Sequence, residues 1–319
     1  MNDETSSARP LFSVIIGVYN DWGPLDGCLA SLAEQAQGTG QPPFEVIVVD
    51  DGSEVSTPEN IGSWNHSYAL TLIRQAHSGV ASARNRGVQT SKGSVFVFAD
   101  ADCRFQRNAL VALASTLANS PQHDCFQLRL AGDCSTPVGR IEHLRLTTLQ
   151  DHLRQADGSI RYLNTAGFAI RRTRVTREGF VFDPAALRAE DTLVLANLIE
   201  AGELPFFVDD SIIEHAVSLS VADFFLKGVW SAYQEGRTYD VIAAKGVRIR
   251  VSHRERLSML VSMWRASADP TIGRLAWFTL AARQSLRLVT SFAYRLLRGV
   301  AQLLYLDRWL IKTTSPRRA

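Results

Sequence analysis

Short Val- and Ile-rich runs alternate with segments of helical apolar spacing through the first hundred residues, and this alternation restricts the possible folds most. Phe12 to Val18 (FSVIIGV), Phe44 to Asp50 (FEVIVVD) and Ser94 to Ala99 (SVFVFA) have the composition of strands covered on both faces. Between the first two, Pro24 to Gln35 sets Leu25, Cys28, Leu29 and Leu32 on one helical face. Tyr68 to Arg74 predicts a third strand, and Val80 to Gln89 and Asn108 to Asn119 predict helices. Strand-helix-strand order implies parallel strands with helical crossovers, hence an α/β sheet with helices on both faces. Beyond Cys125 the pattern loosens. Strands are expected at Cys125 to Leu130, Asn164 to Ile170 and Leu204 to Val208, a helix at Thr192 to Ala201, and a mostly helical extension from Val221.

A length of 319 residues suits one large domain with a smaller appendage, and 46% hydrophobic with 21% charged residues excludes a disordered or fibrous chain. The four cysteines, Cys28, Cys103, Cys125 and Cys134, have no CxxC spacing, which argues against a disulfide framework or a zinc site and for a reducing compartment. Met1 to Pro10 is polar and includes Asp3 and Glu4, unlike an export signal, so a cytoplasmic location is expected.

In parallel α/β sheets, ligands bind outside the carboxyl ends of the strands. Asp50 and Asp51 follow one strand directly and Asp100 and Asp102 follow another, so that edge is acidic. Carboxylates there can accept hydrogen bonds from a base or ribose, or hold a divalent cation that bridges phosphates. Asp50-Asp51-Gly52-Ser53 also supplies a sharp turn, though helix capping would explain these acids equally well. A diphosphate would be repelled by Asp100 and Asp102 unless Mg²⁺ or Mn²⁺ lay between them.

Five ordered blocks resemble family 2 glycosyltransferases of the GT-A fold: FSVIIGVYN (Phe12 to Asn20), FEVIVVDDGS (Phe44 to Ser53), HSGVASARNRG (His77 to Gly87), GSVFVFADAD (Gly93 to Asp102) and AEDTLVLANLIEAG from Ala189. The resemblance, which covers roughly Phe12 to Arg237, implies a mixed Rossmann-like sheet over residues 11–220; the residue pattern itself predicts a basic helical extension over 221–319. It implies an inverting transfer of sugar from a nucleotide-diphosphate donor, preferentially uridine-linked, to a glycan or lipid-linked acceptor hydroxyl in envelope or surface polysaccharide synthesis; no nucleic acid partner is expected. The Tyr19 region and Asp51 would contact the base, with Asp50 supporting the turn. Arg84 and Asn85 would border the nucleotide and diphosphate. Asp100 would face the ribose or diphosphate and, with Asp102, the metal, with His215 as a further ligand. Asp191 of the Glu190-Asp191 pair would be the general base. The polar stretch Gly139 to Arg161 would help shape the acceptor side. Gly17 and Cys103 replace a proline and a third acid common in relatives. Gln234-Glu235-Gly236-Arg237-Thr238 lacks the tryptophan of processive synthases, which favours transfer of single sugars. A nucleotidyltransferase would need a glycine-rich phosphate loop where Gly17 to Asp21 stands, and a non-catalytic binding protein would tolerate loss of Asp102 or Asp191.

From Thr271 onward Arg274, Arg283, Arg287, Arg295, Arg298, Arg308, Lys312, Arg317 and Arg318 stand against Asp307 alone. On a helix Arg283, Arg287, Arg298 and Arg308 share one side, as in an interfacial helix whose cations face anionic headgroups at the inner face of the cytoplasmic membrane. The competing expectation is that these helices pack on the catalytic unit with their arginines in water.

Overall fold

The computed structural model describes residues 9–37, 40–178, 182–184, 189–216, 219–244 and 252–303. Its strands are β1 (Phe12–Val18), β2 (Phe44–Asp50), β3 (Ala69–Arg74), β4 (Val95–Asp100), β5 (Cys103–Phe105), β6 (Cys125–Gly132), β7 (Phe168–Arg171) and β8 (Phe206–His215). They form one mixed sheet in the order β3-β2-β1-β4-β7-β6-β8-β5. The four strands from β3 to β4 run parallel, β7 is antiparallel to β4 and β6, and β5 is antiparallel to β8.

The helices are α1 (Trp22–Gln35), α2 (Val80–Thr90), α3 (Ala109–Asn119), α4 (Pro137–Leu153), α5 (Arg172–Glu178), α6 (Glu190–Glu200), α7 (Val221–Ala244), α8 (His253–Ala266) and α9 (Arg274–Leu303). Strand periodicity divides the core in two. Val14, Ile16, Val46, Val48 and Val97 pack under Leu25, Leu29 and Leu32 of α1 and Leu110 and Leu113 of α3. On the opposite face Ile15, Phe96 and Phe98 meet Ala81 of α2 and Val194, Leu195 and Leu198 of α6. Each fully buried large apolar side chain contributes about 1.5–3 kcal/mol relative to exposure.

Three elements depart from the sequence expectation. The polar Gly139 to Arg161 stretch is largely helical, as α4: Pro137 opens the helix, the Thr136 hydroxyl accepts from the Gly139 N–H at 2.9 Å, and Val138, Ile141 and Leu144 form a buried apolar seam. In Asn164 to Ile170 only the last three residues enter the sheet; Thr165–Gly167 is a 3₁₀ turn whose Ala166 N–H donates to the Asn164 side chain at 2.9 Å. The three-residue β5 carries too little sequence pattern to be foreseen, yet it pairs Cys103 with His215.

The C-terminal helices pack on α4. Val138, Ile141 and Leu144 meet Phe224 of α7, Met263 of α8 and Ala276 and Leu280 of α9. The helices pack on the catalytic unit, as in the second expectation, but Arg283 is not in water. Arg283 is buried, its guanidinium lies 4.0 Å from the centre of the Phe224 ring, and its Nε donates to the Phe224 carbonyl at 3.1 Å. A Cβ on Gly228 would stand 2.8 Å from that Nε, so α7 accepts Arg283 because position 228 lacks a side chain. Arg308, Lys312, Arg317 and Arg318 lie outside the described residues, as do the side chains of Gln234 to Thr238. Among the described residues no helix is long and apolar enough to cross a membrane.

Candidate active site

The parallel strands place their carboxyl ends at one edge, where β2 finishes at Asp50 and β4 at Asp100. Asp50 accepts from the Ser53 N–H at 2.8 Å and lies 3.2 Å from Arg74, closing the turn through Gly52, whose φ is +76°. Asp51 accepts from the backbone N–H of Ser78 at 2.9 Å and of Gly79 at 2.8 Å, and from Gln75 Nε2 at 2.7 Å. Its carboxylate therefore fastens the loop between β3 and α2 to the turn after β2. That loop presents His77, which stacks on half-exposed Tyr19 with ring centres 4.3 Å apart. Asp50, Asp51 and Tyr19 thus converge on one corner of the sheet edge.

Asp100, Asp102 and His215 meet beside it. One ligand atom from each lies within 4.8 Å of the others, and His215 Nε2 is 3.0 Å from Asp102 Oδ1. The β5–β8 pairing creates this contact: Cys103 is in register with His215, and the Ala216 N–H donates to the Asp102 carbonyl at 2.7 Å. Burial alone would raise the Asp102 pKa, but the hydrogen bond and charge of His215, helped by Lys227, hold it below the usual carboxylate value. For His215 burial works downward and is outweighed by Asp102, with Asp100 and Glu142 behind it, so its pKa is raised. Two carboxylates and an imidazole, with room left for phosphate oxygens, suit Mn²⁺ or Mg²⁺. A cleft of about 320 Å³, lined by Gly23, Pro24, Gly27, Asp102, Arg104 and Ala216, opens at Asp102.

Arg84 of α2 joins this cluster to the opposite side of the site. It is buried, donating to Asp100 at 2.8 Å and to Glu190 at 2.6 Å. Glu190 and Asp191 open α6 after Ala189, which adopts the left-handed region at φ 60°, unusual for a residue with a Cβ. Asp191 accepts from the Thr192 N–H at 2.6 Å. Burial, then the neighbouring Glu190 charge, push its pKa up to about 7 despite that bond and Arg84. Glu190 is thus the ion-pair partner of Arg84, beside the buried carboxyl of Asp191. Asn85 is engaged differently. Its amide donates to the Phe182 carbonyl and accepts from the Phe182 N–H, both at 2.8 Å, holding Phe182 edge-on against Phe98.

Two residues beside the site carried no sequence assignment of their own. His77 is a lone histidine in the HSGVASARNRG block, and only its stacking on Tyr19 distinguishes it. Asp21 lies close enough to Asp102 and Asp100 that their charges add to burial in raising its pKa. Its position just after the first strand is the signal that was available.

The family model for glycosyl transferase family 2 matches residues 13–180, more than half of the chain and four of the five blocks above. The chain belongs to glycosyltransferase family 2. Among curated members of glycosyltransferase lines, AglE of Haloferax volcanii is 32% identical over 117 residues, covering 36% of this chain and 38% of that protein. YibD of Escherichia coli, an uncharacterized glycosyltransferase, is 27% identical over 187 residues, 56% of this chain and 53% of its own length. A PGL/p-HBAD biosynthesis glycosyltransferase of Mycobacterium bovis is 33% identical over 120 residues, 37% of this chain and 45% of its own. The chain thus spans between about two fifths and about half of the length of these relatives.

Solved structures agree on the GT-A fold of this family. The mannosyltransferase PcManGT of Pyrobaculum calidifontis, in complex with GDP-Man and Mn²⁺, has a TM-score of 0.57 at 20% identity, covering 97% of this chain and 84% of that one. Staphylococcus aureus TarS 1-349 with UDP has a TM-score of 0.53 at 18% identity, covering 89% of this chain and 91% of that one.

Proposed function

We propose that this protein is an inverting, metal-dependent glycosyltransferase that moves a sugar from a nucleotide-diphosphate donor to an acceptor hydroxyl. The observation that carries this reading is the buried Arg84 guanidinium, which bonds Asp100 of the carboxylate pair after β4 and Glu190 of the pair that opens α6. Residues 11–220 would form the transferase unit and 221–319 an extension whose described part is helical.

The nucleotide occupies the corner framed by Tyr19, Asp50 and Asp51, with the loop that Asp51 fastens forming one wall and the α2 block of Arg84 and Asn85 behind the diphosphate. A uridine donor is favoured; TarS with UDP and PcManGT with GDP-Man mark the two donor classes to test. Asp100, Asp102 and His215 would hold Mn²⁺ or Mg²⁺, which supplies positive charge to the departing diphosphate. Asp191 takes the proton from the acceptor hydroxyl as its oxygen bonds to the anomeric carbon and the bond from that carbon to the diphosphate oxygen breaks. Attack from the face opposite the leaving group inverts the anomeric centre. Arg84 pairs with Glu190 next to Asp191, and the Glu190 charge adds to burial in raising the Asp191 pKa. An acceptor of the cell envelope, a glycan or a lipid-linked sugar, is favoured by the basic extension.

The decisive experiment incubates the purified chain with UDP- and GDP-sugars, with Mn²⁺ or EDTA, and follows nucleotide release. Cation-dependent release that Asp191→Asn abolishes, while nucleotide binding by calorimetry persists, is the expected result. Undiminished turnover in Asp191→Asn removes it as the base, and release of pyrophosphate from a nucleoside triphosphate replaces the reading with nucleotidyl transfer.

A further inference from the structure

The inward turn of Arg283 leaves the opposite side of α9 apolar and, among the described residues, uncovered. Leu275, Phe278, Leu286, Val289, Phe292 and Leu296 are all exposed, Leu275 by 78% and Val289 by 65%. Their spacings of three, four or a few turns place them on one face, away from buried Ala276, Leu280 and Arg283. The patch continues onto α8: Trp264 meets Phe278 with ring centres 6.1 Å apart, and Val261 is exposed one turn earlier. A contiguous apolar face of this length is far from the scattered single residues normal on a soluble surface.

The charges around it point to one occupant. Between Arg274 and Leu303 α9 contains no Asp or Glu. Arg274 borders the patch, lying 3.8 Å from the centre of the Trp264 ring, and α8 carries further exposed cations at Arg265, next in sequence to Trp264, and at Arg254 and Arg256 in its first turn. The acid of that first turn, Glu255, is paired with Arg161 and caps Ser252. A second copy of this face would bring two carboxylate-free, cationic helices together with nothing to pair them. An anionic lipid surface offers acyl chains to the apolar face and headgroups to its basic rim.

We propose that α8 and α9 dock on a bilayer rich in anionic lipid by inserting the Trp264–Phe278–Val289–Phe292 face, with the arginines of α8 and of the α9 start at headgroup level. This reverses the arrangement in which Arg283 and Arg287 meet the headgroups, because Arg283 is committed to Phe224. The contact is a property of the helical extension and does not depend on the proposed chemistry.

The test is co-sedimentation of the full chain with vesicles of phosphatidylcholine alone or mixed with phosphatidylglycerol, beside the variant Phe278→Asp/Val289→Asp/Phe292→Asp. Wild type should partition onto the anionic vesicles, and the variant should bind about tenfold or more weakly, since each change places a charge in the acyl region. Val289 and Phe292 are exposed and Phe278 gives up only its ring contacts with Trp264 and Trp277, so the thermal midpoint should fall slightly and donor hydrolysis should match wild type. Vesicles with brominated acyl chains give a second readout: they should quench wild-type tryptophan fluorescence, and Trp264→Phe should remove most of the quenching. Wild type remaining in the supernatant, or pelleting that the triple variant leaves unchanged, overturns the proposal. So does a dimer in solution that the triple variant dissociates, because the face is then covered by a second copy.

Discussion

Arg84 and Glu190, 106 residues apart in the chain, meet at 2.6 Å. This ion pair ties the middle of α2 to the first turn of α6. Because the same guanidinium holds Asp100 at 2.8 Å, one side chain sets the spacing between the end of β4 and the carboxylate next to Asp191. Arg84→Met would leave Glu190 largely buried without its counter-charge, a loss of about 3 kcal/mol. The expected outcome is a lower denaturant midpoint together with a large fall in kcat, whereas Arg84→Lys keeps the charge and loses less of both. A Met variant that unfolds at the wild-type midpoint would show that the bridge does not hold α6.

Asp191 carries a pH signature. With its pKa pushed up to about 7, the base is half protonated near neutrality, so kcat/KM should rise with pH and level off above about 7. Stability runs the other way. A carboxyl whose folded pKa lies above its ordinary 3.8 binds its proton more tightly in the fold, so its contribution is intact below 3.8 and is lost as pH rises through about 7. Asp191→Asn removes that loss. Melting curves of the inactive variant should coincide with wild type at pH 4 and lie above it at pH 8.

Cation binding at Asp100, Asp102 and His215 should appear as stabilisation of the folded state. Mn²⁺ at a hundred times its Kd adds about 2.7 kcal/mol, and EDTA reverses the shift. Asp102→Asn and His215→Ala should each reduce the Mn²⁺-induced rise in Tm, and the cation requirement of nucleotide binding should weaken in parallel. An unchanged rise in both variants would place the cation elsewhere.

Gly52 connects backbone geometry to the nucleotide corner. Its φ is +76°, and an added Cβ would lie 2.6 Å from the His77 backbone nitrogen. Gly52→Ala should cost more than about 1 kcal/mol, because the native conformation is incompatible with a side chain. The loop fastened by Asp51 would shift with it, so the donor KM should rise more than kcat falls.

The first four parallel strands and α1 to α3 were legible because their signals are local: short Val- and Ile-rich apolar runs for strands buried on both faces and helical spacing for their cover. The acidic edge followed, since Asp50 and Asp100 are the last residues of their strands. The helical character of Pro137 to Leu153 was hidden by buried polar residues. Gln150 and Glu142 sit on its inner side, where Gln150 bonds the Leu130 backbone and Glu142 bonds Arg145.

By itself, then, the sequence determined the layered α/β sheet, the order of its acidic turns and the excess of arginine near the end, all of which rest on neighbours within one element. Tertiary structure alone decided which carboxylates meet. His215 reaches Asp102 because a three-residue strand pairs with β8, and Arg84 selects Glu190 because helices 106 residues apart pack on one face of the sheet. It also decided which side of α9 faces outward: Gly228 admits Arg283, and an arginine over an aromatic ring with its Nε on a carbonyl can be buried where periodicity alone would set it in water.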